Sequence, residues 1–220
     1  MSLFDKKNSE PSPEVLEKQP TSEELFNDAL LMLNQEESIH LRAKGKEQLR
    51  ILAEDSLYLP AQMKYYVMIL NSKSPQDVQK GFAGLEQIAH RDPSNNIAQF
   101  ECGLTLSKGN SYFEVPTIRQ NILNINMDLE RANQFLYKSM NADTMDYKSP
   151  YWALSNLIEM KLAESNGANN NLPLDIDKQM IDLYNTVERR IQYYEDVTAE
   201  KYKKAIITDK KILWNWGLLK

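Results

Sequence analysis

"KGKEQLRILAEDSLYLPAQMKYYVMIL", residues 44–70, and "KGFAGLEQIAHRDPSNNIAQFECGLTL", residues 80–106, are one pattern written twice. Lys44 falls on Lys80, Gly45 on Gly81, Leu49 on Leu85, Leu52 on Ile88 and Ala53 on Ala89, each 36 residues further on. One residue is then gained, so that Ala61 and Gln62 meet Ala98 and Gln99 at a spacing of 37. Within each copy the apolar residues recur at intervals of three and four, which places them on one face of a helix. A unit of two helices repeated at this period cannot bury its apolar stripes alone, so each pair must stack on the next. The pattern predicts an all-α chain arranged as a right-handed solenoid of helical hairpins.

Working outward, Asp77, Lys80, Gly81 and Leu85 are echoed by Asp128, Arg131, Ala132 and Leu136 at a spacing of 51. A fainter echo, Asp175, Lys178, Gln179 and Leu183, follows 47 residues later. The excess over 36 falls in "GNSYFEVPTIRQNILNIN" (109–126) and "NGANNNLPL" (166–174), whose Gly, Asn and Pro content reads as loop. First helices are expected near 22–35, 59–71, 95–108 and 149–165, and second helices near 38–55, 76–91, 127–141 and 175–195. Thr21 and Glu24 have capping-box spacing, and Asp77, Asp128 and Asp175 read as N-caps. A last helix from 197, with Tyr202, Ile206, Ile207 and Leu213, would close the open end of about four pairs. The chain then divides into a flexible tail (1–20), a repeat domain (21–196) and a capping helix (197–220).

Composition narrows the function classes. A net charge of −5 over 220 residues argues against sequence-independent nucleic-acid binding, which needs a basic field. No apolar run approaches the roughly 20 residues that span a bilayer. The first twenty residues carry Pro11, Pro13 and Pro20 and lack the apolar middle of a signal peptide. Their one alternative role is a short docking motif at Leu3 and Phe4. Cys102 is the lone cysteine, so no intrachain disulfide can form and a cytoplasmic setting is expected.

The stretch "AQFECGLTLSKGN" (98–110) resembles the first helix of a Sel-one-like repeat, a branch of the tetratricopeptide-repeat superfamily. "DLERANQFLYKSM" (128–140) resembles its second helix through Asp128, Arg131, Ala132, Phe135, Leu136, Lys138 and Ser139. "DVQKGFAGLEQIA" (77–89) fits less fully. In this resemblance Ala98, Gly103 and Ala132 are structural repeat positions, as are Gly45 and Gly81. Gly103 would admit the paired helix closely, and Gly109 would end the first helix. The chain departs from the pattern at Tyr66 and Asn156, which stand where Gly103 stands. The resemblance implies a scaffold or adaptor that holds another protein or peptide in a concave groove lined by first helices. Its candidate contacts are Gln62, Lys64, Tyr65, Gln99, Glu101 and Trp152. The two glutamines have an equally good reading as structural hydrogen-bonders between pairs.

Outside the repeat, Tyr112 and Phe113 in the insertion are candidate recognition residues, since loops grafted on repeats carry recognition. The C-terminus, "KYKKAIITDKKILWNWGLLK", is basic and amphipathic and suits a capping helix, with an anionic membrane as the lesser reading. Trp214 is expected inside and Trp216 protruding, available to a partner. His40 and His90 lack the further ligands a metal needs, and Cys102 lacks a base to activate it. With no phosphate loop, nucleophile elbow or zinc-protease motif, the expectation is a non-enzymatic interaction module without cofactor or metal. A dedicated immunity protein or secretion chaperone, neutralising one cognate effector, is the alternative.

Overall fold

The computed structural model describes residues 19–72, 74–107, 128–167 and 172–219. Among them lie nine α-helices and no strand, so the fold is all-α: α1 (Ser22–Leu33), α2 (Ile39–Glu54), α3 (Leu59–Leu70), α4 (Pro75–Arg91) and α5 (Asn96–Leu106), then α6 (Leu129–Ala142), α7 (Lys148–Ser165), α8 (Ile176–Ile191) and α9 (Val197–Asn215). Residues 1–18, Gly109, and Tyr112 and Phe113 with the rest of 109–126 lie outside the described residues.

Local chemistry accounts for most helix starts. Thr21 Oγ1 accepts from the Glu24 N–H at 3.2 Å and Glu24 Oε2 accepts from the Thr21 N–H at 2.7 Å, a closed capping box. Ser38, Asn95, Asp128 and Asp196 cap α2, α5, α6 and α9 in the same sense. Two of the three expected aspartate caps need correcting. Ser74 caps α4, because Pro75 is a favoured first helical residue and sets the start two residues before Asp77. Asp77 instead sits in the first turn, 3.6 Å from Lys46. Asp175 holds the N-cap position of α8 as expected but makes no capping bond there; its Oδ1 accepts from Gln179 Nε2.

Helices pack mainly on their sequence neighbours: α1 on α2, α2 on α3, and so on to α8 on α9, with α9 also touching α7. Ala29, Leu49, Leu52 and Ile69 form a first apolar cluster and Val78, Leu85, Ile88 and Cys102 a second. A third, larger one holds Tyr151, Trp152, Leu157, Met180, Val187 and Tyr202.

Within α1/α2 and α3/α4 the backbones approach at a glycine. A Cβ on Gly45 would stand 2.7 Å from the Ala29 carbonyl oxygen, and one on Gly81 would stand 2.8 Å from that of Tyr66 and 2.6 Å from the Leu70 nitrogen. Ala29 and Tyr66 are 37 residues apart and the two glycines 36, so the two close approaches fall at nearly equal spacing along the chain. The departures from the repeat are explained by what each position faces. Tyr66 fits because its ring lies over Gly84, where a Cβ would be 2.6 Å away. In the next pair the bulk is exchanged: Gly103 faces Leu136, whose Cγ would be 2.7 Å from an added Cβ, and the Ala132 carbonyl. In the last pair Asn156 Nδ2 donates to Ser107 Oγ and to Asn133 Oδ1, both at 2.9 Å, tying α7 to the two helices before it.

The terminal helix α9 buries Ala199, Tyr202, Ala205, Ile206 and Leu213. Trp152 Nε1 donates to Tyr202 Oη at 2.9 Å, and the Tyr151 and Tyr202 rings meet edge to face at 4.7 Å. The tryptophan assignment is reversed from expectation: Trp214 is 68 % exposed, while Trp216 is half-buried with Lys161 Nζ over its ring at 5.2 Å. Trp216 lies three residues from buried Leu213 on one helical face, whereas Trp214 is rotated about 100° away from it.

Asp209 interrupts the buried side of α9. Its Oδ2 is shielded from water with no hydrogen-bond partner among the described residues, and burial raises the carboxyl to about 7.

Two outcomes are expected. Gly81→Ala should lower stability by about 1–3 kcal/mol in denaturant titration, because the new methyl meets backbone that cannot turn aside. For Asp209, the folded chain keeps a proton that the unfolded chain has released between about pH 4 and pH 7. Stability therefore falls as pH rises through that window and levels off above it. Asp209→Asn should stabilise the protein at pH 8 by about 1–2 kcal/mol more than at pH 4, since the side chain keeps partial contact with water; thermal melts at the two pH values measure it.

Candidate functional site

The two glutamines of the repeat are interior. Gln62 Nε2 donates to the Ala53 carbonyl at 3.1 Å, and Gln99 Nε2 to the Ala89 carbonyl at 2.7 Å. Each thus satisfies a free carbonyl in the last turns of the preceding pair's second helix. The corresponding carbonyl of α6, Met140, is met at 3.3 Å by Arg190 Nη1, which also donates to the Asp143 and Asp146 carbonyls. Gln62 Oε1 in turn accepts from Arg91 Nη2 at 3.0 Å.

Tyr65 is buried, with Lys80 Nζ 5.8 Å over its ring and held 2.5 Å from Glu54. Trp152 is buried against α9. Gln62, Tyr65, Gln99 and Trp152 therefore face the interior, not a groove. The periodicity that marks them is that of contacts between pairs, and tight packing removes them from a partner's reach. Lys64 is exposed and Glu101 half-exposed. With exposed Asn27 they form a column at intervals of 37 along α1, α3 and α5. Gly45, Gly81, Ala98, Gly103 and Ala132 are all buried.

His40 is exposed, and exposed His90 has its ring 5.7 Å from that of Phe135. Cys102 is fully buried, and burial pushes its thiol well above the ordinary range. A thiol so placed is a packing group, not a nucleophile. No group of three or more His, Cys, Asp or Glu among the described residues is arranged to hold a metal. No helix among them is long and apolar enough to cross a membrane.

Among the described residues, a cleft of about 370 Å³ opens where α5, the α6–α7 connection and the α8–α9 turn converge. Ile97, Phe100, Tyr147 and Tyr194 supply its apolar lining. Glu101, Asp143, Asp146, Asp196 and Lys148 supply its charge. The three aspartates are held in place by backbone N–H groups. Asp146 accepts from the N–H groups of Lys148 and Ser149, Asp143 from that of Met145, and Asp196 from that of Ala199. The Tyr147 and Tyr194 rings stand 4.8 Å apart, and Tyr194 Oη donates to the Met145 carbonyl at 3.2 Å. The Tyr147 hydroxyl is pushed up to about 12, by burial first and then by the negative charge of Asp196 and by Tyr194 and Asp146.

Of the described candidate partner contacts named from the sequence, Glu101 alone lines this cleft. The others were missed because they come from segments far apart in the chain. The sequence signals that could have found them are the turn pairs "DTMDYK" (143–148) and "QYYEDV" (192–197), which put tyrosines beside aspartates just outside helix ends.

Compared with known proteins, the chain matches no family model, no curated protein and no solved structure.

The structural role of the glutamines is directly testable. Gln62→Met should cost about 1–3 kcal/mol by leaving the Ala53 carbonyl unpaired in the interior. Lys64→Ala on the exposed side of the same helix should stay within about 0.5 kcal/mol of the parent; urea titrations of both variants measure the contrast.

Proposed function

We propose that this chain is a non-enzymatic protein-interaction module: a right-handed solenoid of about four Sel-one-like or tetratricopeptide-like hairpins, closed by α9, that holds another protein or a peptide in a cytoplasmic setting. The observation that carries this reading is the recurrence of one joint. Gln62 and Gln99, 37 residues apart, make the same side-chain bond to the last turns of the preceding helix pair. A stack held by such joints keeps its surface preformed, so a partner binds without the cost of ordering the module. The column Asn27, Lys64 and Glu101 runs along that surface, and its residues carry no share of the core. The buried, unactivated Cys102 fits a binding role better than a catalytic one.

Affinity capture of the tagged chain from its native cells tests the reading, beside a variant carrying Asn27→Asp and Lys64→Glu. One stoichiometric partner, held by the parent and lost by a variant with unchanged melting, is the expected result. Repeated capture of nothing in stoichiometric amount would count against it.

A further inference from the structure

We infer that the cleft between α5, the α6–α7 connection and the α8–α9 turn is a subsite for an arginine side chain of the bound partner, flanked there by apolar residues. The inference rests on the protein-interaction reading and names the chemistry of the partner at one place. Three features converge. The first is shape: at about 370 Å³ the cleft falls within the range of small-ligand sites and takes a side chain with its neighbours, not a folded surface.

The second is charge complementarity. Among the described residues, four carboxylates line the cleft against one lysine, Lys148, and the guanidinium of Arg190, bonded to carbonyls behind it, offsets one more. The balance stays negative, and the preset carboxylates of Asp143 and Asp146 can accept a planar guanidinium without reorganising. Lys148 Nζ already lies 6.0 Å from the Tyr147 ring centroid, so a cation is tolerated against this aromatic wall.

The third is the surrounding apolar surface. Ile97 lines the cleft at 54 % exposure, and Met145, Tyr193 and Val197, each next to or between lining residues in the chain, are exposed at 47, 66 and 77 %. Exposed apolar groups gathered around a charged cleft favour a peptide with apolar residues beside its cation. Arginine suits the site better than lysine, because its flat group stacks on tyrosine while donating in the ring plane to carboxylates.

The test is fluorescence anisotropy of the full chain with labelled Gly-Leu-Arg-Leu-Gly. Its counterparts carry citrulline, a neutral isostere, or glutamate in place of arginine. The arginine peptide should bind about tenfold more tightly than the citrulline peptide, with the glutamate peptide weaker still. Glu101→Gln should weaken the arginine peptide by about three- to tenfold, and Lys148→Gln should strengthen it by about threefold. Both changes lie outside the core, and matching melting curves establish that the variants are folded.

Equal binding of the arginine and citrulline peptides would overturn the inference, as would arginine binding indifferent to both substitutions, or none up to millimolar concentration. Self-association of the chain that the arginine peptide leaves intact but Glu101→Gln abolishes would assign the cleft to a second copy and overturn it too. Loss of this inference alone, with a partner still captured through the Asn27 and Lys64 face, would leave the interaction reading in place.

Discussion

The first two hairpins each close over a place where a side chain is missing. At Gly45 and Gly81 the backbone of the second helix approaches the first so closely that even a methyl group would overlap main-chain atoms. That approach fixes the distance between the helices of a pair, and with it the register in which the next pair can be added. The remaining positions accommodate this spacing. Tyr66 is admitted because Gly84 vacates the opposite side, and Leu136 because Gly103 does. Between the two pairs the bulky side chain moves from one helix to the other, and the facing glycine leaves it room.

Between pairs the constraint is polar. A helix end leaves carbonyls without intrahelical partners, and at the ends of α2 and α4 side chains of α3 and α5 meet them in the interior. Gln62 and Gln99 answer this with a side-chain amide, and Arg190 answers it in the last pair with one guanidinium serving three carbonyls. The change from glutamine to arginine accompanies a change in the chain. Trp152 occupies the glutamine position and is turned toward Tyr202 of the terminal helix. The last pair is built to receive α9, and the cluster of Tyr147, Tyr151, Trp152, Tyr194 and Tyr202 is the result. The same cluster shapes the cleft, since Tyr147 and Tyr194 belong to both.

Much of this architecture is legible in the sequence because its causes are local or periodic. Helix positions follow from apolar spacing, and the starts at Thr21 and Asp128 follow from side chains within three residues of the bond they make. The spacing of 36 or 37 carries the register of Gln62 with Gln99. Where local rules compete, the sequence misleads: Asp77 looks like a cap until Pro75 is seen to start the helix earlier. Trp214 and Trp216 differ only by rotation about a helix whose seated face the flanking residues leave ambiguous.

What the sequence determined by itself is therefore the all-α class of fold and the order of the helices, set by interactions within a turn and by the spacing of apolar residues. What only the tertiary structure decided is which side of each repeated position is covered. Gln62, Gln99 and Trp152 stand in one column along the sequence and Tyr65 lies a turn from Gln62, yet all are interior, because burial depends on the neighbours that packing supplies on several sides at once. The cleft was decided in the same way. Its walls come from residues 96–101, 139–148 and 194–196, segments with no common period. No local rule links them; the successive packing of α5 through α9 brings their side chains to one place.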